Sequence, residues 1–381
     1  MLELATAGES HGPGIVAILS GVPAGLALDI GAIDRALGRR QSGYGRGARQ
    51  QIERDRVEVL GGVRKGRTTG APVALMVRNA DSRLDEVPEI HAPRPGHADL
   101  AGHQATGAPI RDVLERASAR ETAARVAAGA VAGQILSAFG IAVVSRVVRI
   151  GAAAAADAMP ATPEGFAAAD GSPVRCLDAA ASAAMCAGID AAREAGESLG
   201  GIFEVVGFGV PAGLGAYDVP ARRLDARLAG ALMSIPAIKG VEIGEGFAGA
   251  ALPGSRFHDE IVHDHAAAPR AGGFARRTNR AGGVEGGVTN GMPVVCRAAM
   301  KPIPTLTRPL GSVDIRTLKP VPALKERSDT CAVPAASVVG EAVVASVLAE
   351  ALLERLGTGG MEELAARFDA MIGRLGGSPE K

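Results

Sequence analysis

The chain matches itself. Residues 8–26, GESHGPGIVAILSGVPAGL, align without a gap to residues 196–214, GESLGGIFEVVGFGVPAGL, with ten identities in nineteen positions. Residues 61–73 (GGVRKGRTTGAPV) align to 282–294 (GGVEGGVTNGMPV) with eight in thirteen, and 115–131 align more weakly to 326–342 through Glu-Arg and a shared glycine. The three pairs keep their order. Such a repeat constrains the fold more than any local motif, because one supersecondary unit must be built twice. A unit of roughly 150 residues is an ordinary domain size. This predicts a first half at 1–150, an Ala-rich peripheral connection at 151–195, a second half at 196–360 and a C-terminal tail at 361–381, integrated in a single large domain.

Each half repeats one grammar. An apolar strand (15–20; 202–208) runs into a Val-Pro-Ala-Gly-Leu turn, then a helix (29–40; 222–233), with Asp29 placed to cap the first. A hairpin pattern follows (57–78; 282–300), and a long helix of small residues closes the unit (112–139; 334–356). The class expected is α+β, with two halves related by an internal pseudo-two-fold and stacked in layers around one core. Ala, Val, Leu and Ile fill that core, since hydrophobic residues make up 47% while Trp is absent and Tyr occurs twice. The 41 basic and 41 acidic residues cancel, which argues against a nucleic-acid partner. The four cysteines show no CxxC spacing and read as reduced thiols in a cytoplasmic protein. No signal peptide is expected, and no membrane span, because the apolar run at 331–352 holds Glu341 and Glu350.

Gly8-Glu9-Ser10-His11-Gly12 spells G-x-S-x-G, the pattern of a nucleophile elbow. The repeat decides otherwise. Both copies keep Gly, Glu, Ser and Gly, so that skeleton reads as a turn, and only the first copy adds a histidine, His11 against Leu199. An elbow also needs strands before it, whereas seven residues precede Gly8 and Pro13-Gly14 resists a helix. GGVRKGRT (61–68) approaches a P-loop, but Arg67 stands where the lysine belongs and the aligned copy has neither basic residue. It reads as a Gly-rich hairpin turn. GYGRG (43–47) follows a helix and reads as a mobile, cationic loop. His258, His263 and His265, among Asp259, Glu260 and Asp264, read as a charged surface loop, with a metal cluster as the alternative.

Arg35, Arg39, Arg40, Arg46 and Arg49 run with no acid between Asp34 and Glu53; such a run needs an anion or a distant carboxylate. Ala/Arg-rich codon usage is the plain alternative for surface arginines. HAPRPGHADL (91–100) holds Arg94 and His97 around a stiff Pro-Gly turn. ERASARET (115–122) sets Arg116 and Arg120 four apart on one face of a helix entrance, with Ser118 between them, which suits an anion. Pairing with Glu115 and Glu121 is the alternative. The second copy keeps Arg327 and has Asp329 in place of Ser118. KPIPTL (301–306) is a rigid extended segment suited to a planar ligand or to an edge strand. Many arginines, two histidines, one acid and no metal set point to acid–base chemistry on a phosphorylated or polycarboxylate substrate.

AGESHGPG, RRQSGYGRGARQQIERD, GRTTGAPV, RPGHADLAG, ERASARETAARVAAGAV, MSIPAIKGVEIGEGF, RRTNRAGGVEGGVTNGMP, KPIPTL and ERSDTCAVPAA together closely resemble the chorismate synthase family, from about residue 3 to 357. The resemblance implies a β-α-β sandwich assembled as a homotetramer. It also implies a lyase that performs anti-1,4-elimination of phosphate from 5-enolpyruvylshikimate 3-phosphate to give chorismate, requiring reduced FMN with no net redox change. By the same resemblance His11 protonates the departing phosphate, His97 stands beside flavin N1 and Asp329 near N5, and Ser10 and Ser118 link these groups. Arg40, Arg46, Arg49, Arg94, Arg120 and Arg327 match a cage for phosphate and carboxylates, and part of it could take NADP. Flavin contacts map to Arg116, Ala117, Ser118, Pro236, Ala237, Gly286, Lys301, Pro302, Ile303, Pro304, Thr305 and Arg327. Pro236 stands where many members carry Asn. The reductant is NADPH or a separate flavin reductase.

Overall fold

The computed structural model describes residues 2–47, 54–156, 158–266, 268–325 and 328–376. In chain order the main elements are β1 (Glu3–Ala7), β2 (Gly14–Ser20), α1 (Ile30–Gln41), β3 (Val57–Gly61), β4 (Val73–Arg78), α2 (Asp99–Thr106), α3 (Ile110–Ala117), α4 (Thr122–Ala138) and β5 (Ala142–Ile150). They continue with α5 (Ala179–Ala195), β6 (Gly201–Phe208), α6 (Leu224–Met233), β7 (Ile238–Ile243), β8 (Val294–Met300), α7 (Val333–Leu356) and α8 (Met361–Leu375).

The strands form two antiparallel sheets. One runs β1-β2-β4-β3; the other runs β5-β6-β8-β7, with a two-residue strand at 153–154 beyond β5. Short hairpins at 63–68 and 284–289 precede β4 and β8. Helices α1, α4, α6 and α7 lie between the sheets: α4 packs on β2 and β4, α7 packs on β5 and β6, and the two helices lie against each other. The layers are therefore sheet, helices, sheet, around one continuous core. Small residues make the helix contact possible. A Cβ added at Gly129 of α4 would stand 2.4 Å from the Cβ of Ala342 on α7.

Three elements differ from the sequence reading. Ala142–Ile150 falls inside the expected first half yet pairs along β6 in the second sheet. The helix expected over 112–139 is two helices, because Ser118 is extended (φ −65°, ψ 143°) and accepts the N–H of Arg120 through its side chain. The expected tail forms α8, whose Leu364, Phe368 and Met371 share one face at i, i+4, i+7 and join the core; the Phe368 ring lies 5.1 Å from that of Phe139. In addition, α7 does have the length and composition to cross a membrane, although 83% of its most apolar window is buried inside the protein. Its acids are neutralised: Glu341 by Arg39 and Arg175, Glu350 by Arg227. All four cysteines are free thiols.

Candidate active site

The 8–12 loop connects β1 to β2, and its backbone is taken up by α3. Ser10 N–H donates to the Glu115 carbonyl (3.0 Å) and His11 N–H donates to Glu115 Oε2 (2.9 Å). The same carboxylate meets the ring: His11 Nδ1 lies 3.0 and 2.9 Å from its two oxygens. Across the ring, Nε2 is 3.7 Å from Asp81 Oδ2, and 16% of the side chain remains exposed. Ser118 Oγ donates to Ser10 Oγ at 3.1 Å. This contact explains the helix break, since a continuous helix would carry Ser118 away from Ser10.

The break also separates the two arginines expected on one helix face. Arg116 turns to β1, donating to the carbonyls of Thr6 and Gly8 rather than to an acid. Arg120 turns inward to Asp55 (2.5 Å), Asn79 Oδ1 (2.7 Å) and the Arg78 carbonyl (2.9 Å). Asn79 in turn donates to the carbonyls of Glu9 and Gly12, which ties Arg120 to the His11 loop. Arg40 shares a face of α1 with Ile33 and Leu37, so the helix buries it; it meets Asp55 (3.2 Å), Thr122 and the Ala119 carbonyl. Burial pushes the Arg40 guanidinium down to about 10; Asp55 opposes this while Arg46 and Arg120 add to it.

The 43–47 loop, expected to be mobile, is pinned. Tyr44 donates to Asp190 (2.9 Å), the Gly45 carbonyl accepts from Thr330, and Asp329 accepts from Arg46 and Gly47 N–H, both at 2.6 Å. Arg46 Nε is buried and has no hydrogen-bond partner among the described residues. The acid-free arginine run is thus met by carboxylates from outside it: Arg35 by the nearby Asp29, Arg39 by Asp170 and Glu341, Arg40 by Asp55, Arg46 by Asp329. Arg49 and Arg327 lie outside the described residues.

His97 stands on the turn before α2. Its Nδ1 is 2.5 Å from Asp99 Oδ1, and Arg94 holds the same carboxylate through Nε (2.8 Å) and Nη2 (3.0 Å). Burial alone would raise Asp99, but His97 and Arg94 hold it well below the usual carboxylate range. Arg94 Nη1 donates to Thr305 (3.0 Å) and Lys301 Nζ donates to the Gly96 carbonyl (2.8 Å), so the 301–305 segment lies along the His97 turn. Lys301 N–H donates to the Ala237 carbonyl, which brings Pro236-Ala237 to the same place. Burial, and then the Lys239 ammonium, push the Lys301 ammonium down.

Hydrogen bonds join these two groups. Ser198 donates to the Ile303 carbonyl, and the next residue, Leu199, donates to the Thr330 carbonyl beside Asp329. On another side Arg116 bonds Thr6, Thr6 bonds Glu121, Glu121 bonds Arg125, and Arg125 bonds Ser234 just before Pro236. Gly286 is not gathered in. Its hairpin packs at the N-terminal end of α6, where Leu224 N–H meets the Gly287 carbonyl, whereas Pro236 lies past the other end; ten helical residues span about 15 Å. Among the described residues no group of His, Cys, Asp and Glu could hold a metal. Asp259 instead accepts from Thr278 and the N–H groups of Arg280 and Ala281. Sequence reasoning missed Glu115 as the partner of His11, and with it Asp55, Asn79, Asp81 and Asp99. The only signal was the need of buried cations and imidazoles for a counter-charge.

An imidazole gripped by a buried carboxylate, beside guanidinium groups that outnumber their acids, is the equipment of an enzyme that moves a proton on an anionic substrate. The comparisons with known proteins narrow that class. The family model described as chorismate synthase matches residues 2–353. The chain is 55% identical to the chorismate synthase of Rubrobacter xylanophilus, over 97% of this chain and 96% of that one. It is 54% identical to that of Desulforudis audaxviator, over 98% of each. A crystal structure of chorismate synthase superposes with a TM-score of 0.81 at 43% identity, covering 98% of both chains. The chain belongs to the chorismate synthase family, and so to the lyases that remove phosphate.

Proposed function

We propose that this chain converts 5-enolpyruvylshikimate 3-phosphate to chorismate by anti-1,4-elimination of phosphate, with reduced FMN bound. The observation that carries the reading is the nearness of the Glu115-held His11 to Arg40, Arg46 and Arg120, a cationic group that Asp55 and Asp329 balance only in part. A substrate with one phosphate and two carboxylates supplies the missing anions. His11 donates a proton from Nε2 to the phosphate as it leaves, a role worth roughly 10²–10⁴-fold. The arginines orient the substrate and balance charge as it moves from ring to phosphate. Ser10 and Ser118 keep the His11 loop in register with the arginines.

The residues fit reduced FMN by the chemistry of their donors. Lys301 and Lys239 form a cationic pair that a phosphate would relieve, and Pro302, Pro304 and the 301–305 backbone offer a stiff edge beside a planar ring. Arg116, Ala117, Ser118, Pro236, Ala237 and Lys301 to Thr305 would hold it, with His97 fixed by Asp99. When bound, reduced FMN supplies electron density that offsets the allylic charge as phosphate departs. Asp329, next to the Thr330 carbonyl that accepts from Leu199, supplies a proton-accepting carboxylate. Homotetrameric assembly, two halves related by a pseudo-two-fold, and a cytoplasmic setting for four free thiols belong to the same proposal. A site shared between copies would give Gly286 a flavin to touch.

Anaerobic incubation with photoreduced FMN and 5-enolpyruvylshikimate 3-phosphate tests the reading. Phosphate release should track chorismate absorbance and stop with oxidised FMN. Absence of phosphate release, or release without chorismate, overturns it. Replacing light with NADPH tells whether the chain reduces its own flavin or needs a separate reductase.

A further inference from the structure

Glu115 is buried to 1% exposure, and three contacts at the end of α3 fall on two consecutive residues of the 8–12 loop. Its carboxylate takes both the ring Nδ1 and the backbone N–H of His11, with Arg111 at 3.4 Å as its other charged neighbour. The groups facing His11 from other elements are Asp81, at 3.7 Å from Nε2, and Arg83, which binds Asp81 at 2.8 Å and donates its N–H to the His11 carbonyl. Glu9 flanks the ring's own loop, near Gly12. We infer that Glu115 is a positioning residue for His11: it fixes the proton on Nδ1 and turns Nε2 to the opposite side, toward Asp81. A carboxylate on one imidazole nitrogen sets the tautomer and basicity of the other. This inference rests on the acid role proposed for His11.

The test uses the full chain with Glu115→Gln, Glu115→Asp, His11→Ala and the His11→Ala/Glu115→Gln double variant. Glu115→Gln should lower kcat by about 10–100-fold, the usual cost of losing such a partner, with KM for the substrate little changed. Glu115→Asp, which keeps the charge, should recover part of kcat, and the double variant should be no slower than His11→Ala. Long-range 1H–15N spectra should show neutral His11 protonated at Nδ1 in the wild type. An unchanged kcat in Glu115→Gln, losses that simply multiply in the double variant, or a ring protonated at Nε2 each overturn the inference. Wild-type turnover by His11→Ala overturns the acid role itself, which keeps the two failures apart. If Glu115→Gln does not fold, the spectrum and Glu115→Asp decide.

Discussion

The loops at 8–12 and 196–200 start from the same letters and end in different uses. Both bury their serine, and both serines bond to another segment: Ser10 with Ser118, Ser198 with the Ile303 carbonyl. At the fourth position they part. His11 lies between Glu115 and Asp81, while Leu199 sets its side chain near Gly151 and Gly188 and pairs through its backbone with the 330–332 segment. Two buried acids differ in the same way. Two buried carboxylates each lie between two arginines: Asp55, just before β3, between Arg40 and Arg120, and Glu204 of β6 between Arg146 and Arg297. Glu204 alternates with Phe203 and Val205, which face α7, so it points to the outer face, under Phe166 and the Ala158 carbonyl. The aligned segments share their packing, while the chemistry proposed above rests on the first of them.

The sharpest way to break that contrast is to exchange the fourth residues. His11→Leu should lose about 10²–10⁴-fold in turnover with its fold intact, and Leu199→His should gain nothing. Phosphate release by His11→Leu near the wild-type rate would end the distinction. Next come the buried carboxylates. Removing one partner of a buried ion group costs about 3–5 kcal/mol, so Asp55→Ala and Glu204→Ala should both lower the urea midpoint. Only Asp55→Ala should also lower turnover per folded molecule, since Arg40 and Arg120 lose their common anchor. Equal activity losses in the two would place Glu204 in the site as well.

Much of the frame is legible in the chain itself. The aligned segments fall on matching elements, β2 with β6, β4 with β8, α4 with α7, because period and turn chemistry act locally. Ser118 shows where this ends. ERASARET suits a helix residue by residue, and what breaks it is Ser10, 108 positions away. The partner of His11 is equally hidden, 104 positions along the chain. For the arginine run, composition demanded counter-charges without saying whose; folding supplied Asp29, Asp55, Glu341 and Asp329. GYGRG reads as mobile because glycine permits motion, yet Tyr44 and Asp329 remove it.

A smaller effect separates the central helices. Gly129 and Gly340 occupy aligned positions on α4 and α7, and each has no room for a Cβ. At Gly129 the obstacle is the backbone of Ala342, whose Cα would stand 2.5 Å away; at Gly340 it is the Phe203 ring edge, also 2.5 Å. Backbone cannot give without parting the helices, whereas a ring can tilt. Gly129→Ala should therefore cost about 1–3 kcal/mol, and Gly340→Ala less, since alanine returns about 1 kcal/mol of helix propensity in both. Urea unfolding of the pair checks this, and the reverse order would refute it.

The smallest effect belongs to the serine that does no chemistry. Ser198→Ala removes one donor to the Ile303 carbonyl, a bond of 2.7 Å, worth about 0.5–1.5 kcal/mol net. If Ser198 serves only to hold the 301–305 edge, that loss appears as weaker flavin binding, up to about tenfold, and kcat at saturating flavin stays put. Ser10→Ala should do the opposite, sparing flavin affinity and lowering kcat, because its neighbours are His11 and Ser118. Titrating activity against FMN separates the two constants for each variant. A fall in saturated kcat for Ser198→Ala would mean that the second loop reaches the chemistry after all, and that Leu199 conceals a working role in its neighbour.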